Sequence, residues 1–169
     1  MSTKQKEASI DLMLELTKEF ENESDRSAAV LAGGYLDHLL GDLIATAMVV
    51  GPKEVDDLLY ADGQGPLGTF RARVDTAYCM GLISKDEYRD LHLIRKIRND
   101  FAHELIGLSF ETPSIACRCG ELVGAKKNGR PSTGRERFKK ATVRLMVDMI
   151  LRIRSNKNKQ SRSGKASTN

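Results

Sequence analysis

Helical periodicity constrains this chain more than any other property. Between residues 25 and 50, apolar positions recur as Ala28, Leu31/Ala32, Tyr35/Leu36, Leu39/Leu40, Leu43 and Ala47. Steps of three and four put these side chains on one stripe of an α-helix. Ser24 is placed to cap that helix, Asp25 opposes the macrodipole in its first turn, and Gly51-Pro52 stops it after Val50. A shorter stripe of Ile10, Met13, Leu14, Thr17 and Phe20 precedes it. Downstream, a helical turn over 55–59 leads into the turn formers of 61–66. A helix over 69–80 carries Phe70, Val74, Ala77 and Tyr78 and stops at Gly81. The next opens on Ser84-Lys-Asp-Glu87, a capping box in which hydroxyl and carboxylate each satisfy an end N–H, and continues through Leu91, Ile94, Ile97/Arg98, Phe101 and Leu105. Residues 111–134 turn to Pro, Ser, Gly and basic side chains and read as a long loop. A last helix over 135–154 turns Phe138, Thr142, Leu145, Met149 and Leu151/Ile153 inward.

With no strand pattern and no internal repeat, the expectation is all-α: a single-domain bundle of about five main helices over residues 1–154. Residues 155–169 have nothing apolar to bury and read as a disordered basic tail. At 169 residues the chain suits one core, since cores split only beyond roughly 250 residues. The longest apolar run, 43–50, falls far short of the ~20 residues that span a bilayer, and no signal-peptide stretch opens the chain, so a soluble cytoplasmic protein is expected. Gly33, Gly34 and Gly41 each cost a helix about 1 kcal/mol relative to Ala, which implies that a neighbour packs closely against that face. Cys79, Cys117 and Cys119 are too few for a disulfide scaffold and read as reduced thiols. Cys117-Arg-Cys119 lacks companions for a metal site, and neither metal nor cofactor is expected.

Charge is segregated. Residues 1–125 hold 13 Lys/Arg against 21 Asp/Glu, a net of −8. Residues 126–169 hold 14 against 2, a net of +12, so that the overall +4 joins an acidic body to a basic end. Such an end either solubilises the chain or meets a polyanion or acidic partner. The candidate nucleic-acid contacts are Lys126, Lys127, Arg130, Arg135, Lys139 and Lys140. Within Lys126-Lys127-Asn128-Gly129-Arg130-Pro131, Gly-Arg-Pro resembles an AT-hook core, although Gly and Pro also make ordinary turns.

The densest chemical cluster is Arg95-Lys96-Ile97-Arg98-Asn99-Asp100-Phe101-Ala102-His103. Asn99 and His103 share a helix face, and Asp100 and His103 are within pairing distance. Arg98 and His103 are five apart, about 140° around an ideal helix, so joint chemistry needs a helix break or a second copy. Arg98, Asn99 and His103 could serve phosphodiester cleavage, with Arg holding oxyanion charge and His exchanging protons. A salt-bridged helix face would look the same.

Glu23-Ser24-Asp25-Arg26, then Gly65-Pro66-Leu67-Gly68-Thr69-Phe70, then Ala77-Tyr78-Cys79-Met80-Gly81-Leu82-Ile83, then Ile94 to His103 resemble, in that order, the mannitol operon repressor family over roughly residues 15–153. The resemblance implies an all-helical homodimer that represses transcription of mannitol uptake and use. It also implies a polar network in which Glu23, Asp25 and Arg26 join Arg98, with Arg95 and Asp100 nearby. Arg98-Asn99-x-x-x-His103 also resembles the R-x(4–6)-H signature of HEPN domains, which include metal-independent ribonucleases and non-catalytic binding modules. No helix-turn-helix, zinc finger or basic-leucine pattern accompanies it. Two functions follow: a non-enzymatic repressor that binds a protein or touches nucleic acid through its basic C-terminal part, or a metal-independent ribonuclease or toxin.

Overall fold

The computed structural model of the chain describes residues 11, 14–48, 52–60, 65–104, 107–125 and 133–166, with side chains described as far as residue 160. It is all-α. A helical segment α1 (14–19) is followed by α2 (Asp25–Ala45), α3 (Pro52–Leu59), α4 (Phe70–Cys79), α5 (Lys85–His103), α6 (Pro113–Glu121), a 3₁₀ turn at Val123–Ala125, and α7 (Gly134–Ala166). No strand occurs among the described residues.

Local signals set most of these boundaries. Ser24 caps α2 by accepting from the Ser27 N–H at 3.1 Å, and Thr69 caps α4 by accepting from Ala72 N at 3.1 Å. Both halves of the capping box at Ser84 and Glu87 are present. Gly81 takes a positive φ of 69°, the left-handed turn that ends α4 without a Cβ penalty. α2 packs against α4, α5 and α7, and buries Ala28, Ala32, Leu36, Leu40 and Leu43. Leu31 and Tyr35, expected inward, are each 40% exposed. α2 has the length and apolar content of a membrane span, but half of that stretch is enclosed by the bundle, as in a core helix.

Four expectations change. α2 ends at Ala45 with Thr46 as its C-cap, rather than near residue 50, and α3 begins at Pro52, whose missing N–H costs nothing at a helix start. α5 ends at His103, short of Leu105. The presumed loop over 111–134 contains α6, anchored by buried Ile115 and Cys119, and the 3₁₀ turn. Finally, α7 does not stop at Arg154: it continues to Ala166. Its polar side chains find partners where α2 stops, with Asn156 donating to Thr46 Oγ1 at 3.1 Å and Gln160 to the Thr46 carbonyl at 2.9 Å. The last carbonyls of a helix lack intrahelical donors, so the Gln160 amide satisfies a real deficit, while Asn156 bonds the Thr46 hydroxyl that itself donates to the Leu43 carbonyl. Ile10 and Met13 of the first stripe lie outside the described residues.

Candidate functional site

Leu91, Ile94, Ile97 and Phe101 bury one stripe of α5. That burial positions the residues beside it, and Arg98 emerges against α2. A Cβ on Gly33 would lie 2.6 Å from Arg98 Cγ, so the missing side chain of Gly33 is the space through which the Arg98 stem passes. Close approach was expected of all three glycines. It holds at Gly33, and at Gly41, where a Cβ would meet the Tyr60 hydroxyl at 2.9 Å. Gly34 faces open space.

The head of Arg98 is sparsely used. Its Nη1 donates to Asn99 Oδ1 at 3.0 Å, while its Nε is enclosed without a hydrogen-bond partner. Its charge acts on Asp37, one turn along α2. Burial pushes the Asp37 carboxyl above its usual range, and the charges of Arg73 and Arg98 pull it partly back. His103 closes α5 and is exposed. Asp100 pairs with Arg118 of α6, not with His103. Arg98, Asn99 and His103 therefore share a helix without forming one closed constellation within the chain.

The expected network around Arg98 forms elsewhere. Asp25 pairs with Arg135 of α7 and accepts from the Phe110 N–H at 2.9 Å. Arg135 also donates to the carbonyls of Phe20, at 3.1 Å, and Glu23. Arg26 donates to the carbonyl of Glu104. Distance explains the correction: Arg98 lies over Gly33, eight residues from Asp25 and so about 12 Å along α2. Arg95, one turn before Arg98, lines the groove between α4 and α5 instead, and its Nε is enclosed without an acceptor.

Among the proposed nucleic-acid contacts, Arg135 is committed to Asp25 and Lys139 lies 3.5 Å from Glu21. Lys140 is exposed, and Lys126, Lys127 and Arg130 lie outside the described residues. All three cysteines are free thiols. Cys117 is exposed and Cys119 is buried, so the two do not converge, and burial pushes the Cys119 thiol up to about 12.

Two buried polar centres had no signal in the sequence pattern. Arg73 of α4 donates from Nε to the Leu67 carbonyl at 2.9 Å, from Nη2 to the Leu59 carbonyl at 2.6 Å and from Nη1 to the Asp37 carbonyl at 3.2 Å. Its Nη1 also lies 2.9 Å from Asp37 Oδ1, an ion-pair contact whose angle does not make a hydrogen bond. Asp90 of α5 accepts from the N–H groups of Val123 and Gly124 at 2.9 and 2.8 Å and so holds the 3₁₀ turn in place. A charged residue within an amphipathic helix reads as surface until its partners are known.

Residues 37–158, which include the C-terminal part of α2 and all of α3, α4, α5 and α6, match the mannitol repressor family model. The chain belongs to the mannitol repressor family. This family member is 34% identical over 61 residues to the mannitol operon repressors of Escherichia coli strains K12 and CFT073, a stretch that covers 36% of the chain and 31% of each relative. The aligned part thus spans about a third of those curated relatives. Its fold is that of the chain in the X-ray structure of the MtlR–HPr complex from Escherichia coli, with a TM-score of 0.60 at 21% identity, covering 86% of this chain and 98% of that one.

Proposed function

We propose that this mannitol repressor family member is a cytoplasmic, repressor-type regulator that works as a homodimeric helical module by docking a protein partner. The observation that carries this reading is the family match over residues 37–158, joined to a shared fold with an Escherichia coli protein solved in complex with HPr. The internal use of charge supports it. Of the three described candidates for nucleic-acid contact, Arg135 and Lys139 are turned to Asp25 and Glu21, while Lys140 is exposed. Leu31 and Tyr35 stand exposed on α2, an apolar pair of the kind a homodimer face uses. The ribonuclease alternative loses ground because Arg98 is drawn over Gly33 while His103 ends α5 in solvent.

Calorimetric titration of the full chain with the HPr of its own organism is the direct test, and saturable binding by a species of dimer mass in light scattering is the expected result. Absence of binding where the Escherichia coli pair associates would reject the docking reading. RNA cleavage that persists in chelator and disappears in His103→Ala would replace it with the nuclease reading.

A further inference from the structure

The polar groups not used so far gather in an open groove of about 960 Å³ between α4 and α5, flanked by Glu121 of α6. This is at the upper end of small-molecule sites, roughly 300–1,000 Å³. Five cations line it, Arg71, Lys85, Arg89, Arg95 and Lys96, against the three carboxylates of Asp75, Asp86 and Glu121. The groove is therefore positive within the part of the chain that is otherwise acidic. Two of those carboxylates are already spent. Asp75 accepts from the Tyr88 hydroxyl at 3.0 Å and from His92 Nε2 at 3.1 Å, and lies 3.5 Å from Arg71; Glu121 pairs with Arg89 at 3.1 Å.

Arg95 and Lys96 remain without an ion-pair partner among the described residues, and Arg95 Nε is enclosed with no acceptor. A guanidinium partly withdrawn from water without a counter-charge is unfavourable, and an oxyanion at its open donors offsets that cost.

A ring face accompanies the charge. Tyr78 is 40% exposed and stacks on Tyr88 with centroids 4.5 Å apart, while Tyr88 meets His92 edge-on at 4.4 Å. Asp75 holds both Tyr88 and His92, so this wall is formed before any ligand arrives. A carboxylate only accepts, which places the His92 proton on Nε2; burial also lowers the affinity of that ring for a second proton. Tyr88, against which Tyr78 packs, and Arg95 stand on one helix, which rises about 10 Å between them. A single exposed ring suits one base, whereas a nucleic-acid strand stacks successive bases on several.

We infer that this groove binds a mononucleotide, with its base on Tyr78 and its phosphate at Arg95 and Lys96. The inference is independent of HPr docking. It is tested by calorimetric titration of the full chain with the 5′-monophosphates of adenosine, guanosine, cytidine and uridine, and with adenosine and inorganic phosphate as fragments. At least one monophosphate is expected to bind saturably, at least tenfold more tightly than either fragment. Arg95→Gln should weaken it tenfold or more and Tyr78→Ala several-fold, each compared at a temperature where thermal unfolding shows the variant folded. Lys96→Ala, at an exposed position, must also weaken it and serves if Arg95→Gln fails to fold. No heat from any monophosphate at millimolar concentration would overturn the inference. So would phosphate alone binding as tightly as the nucleotide, or an affinity indifferent to Tyr78→Ala and Lys96→Ala.

Discussion

Arg73 and Arg98 both reach the glycine face of α2, from α4 and α5, and the fold treats them in opposite ways. Arg73 lies 3.7 Å from where a Cβ of Gly41 would be, is 6% exposed, and directs its donors to three carbonyls and the Asp37 carboxylate. Arg98 crosses Gly33, and the described residues offer its side chain one hydrogen bond, from its own neighbour Asn99. Gly33 makes room for the Arg98 stem and Gly41 for the Tyr60 hydroxyl, with Arg73 at ordinary contact distance, so the glycines do not tell a closed structural knot from an arginine with donors to spare. Counting donors and acceptors does.

The largest effect belongs to the closed knot. Arg73→Ala strips three carbonyls of their buried donor and takes the nearer arginine charge from half-buried Asp37, and should cost about 3–5 kcal/mol in denaturant unfolding. A cost near that of an exposed arginine would erase the contrast. Gly33→Ala comes next: its Cβ meets Arg98 near the base of the side chain, where little can give, and overpacking of this kind costs about 1–3 kcal/mol. Gly34→Ala, one residue away and facing open space, should instead stabilise α2 by up to about 1 kcal/mol. If both alanines raised the melting temperature, Arg98 would not cross α2 at Gly33.

The smallest effect is a pH dependence. Burial raises the folded-state pKa of Asp37, so its contribution to stability is complete below the unfolded value of about 4 and is lost as pH rises through the folded value. Arg98→Ala removes one of the two arginine charges that hold this carboxyl down. The stability deficit of the variant against the parent should therefore widen from pH 4 to pH 7 in thermal unfolding, and a deficit that narrowed would break the link between Arg98 and Asp37.

The elements that could be read directly carry their instructions within a few residues. Ser84 and Glu87 open α5, Thr69 opens α4, and Gly81 closes α4 through a backbone conformation suited to glycine. α6 escaped because its nine residues are short and broken by Pro, Ser and Gly, and what holds it is distant: buried Ile115 and Cys119, and the pairing of Arg118 with Asp100. The extension of α7 escaped for a related reason. Its composition offers no apolar stripe beyond Ser155, yet Asn156 and Gln160 answer the unsatisfied end of α2. At the candidate site, the motif from Arg95 to His103 was legible as a cluster, but its partners were not. Arg98 was expected beside Asp25 and stands over Gly33, while Asp25 is taken by Arg135.

By itself, then, the sequence determined an all-helical chain, the caps at Ser24 and Ser84 and the main buried stripes of α2, α5 and α7, but not Phe110, Ile115 or Leu122. Periodicity and capping act over three or four residues, and each leaves a local mark. Which charges meet was decided only in the tertiary structure. Asp100 and Arg118 are 18 residues apart and Asp25 and Arg135 are 110 apart, separations at which no local pattern selects one carboxylate over another. Packing sets which elements adjoin, and the cost of desolvating a charge there favours a partner within reach.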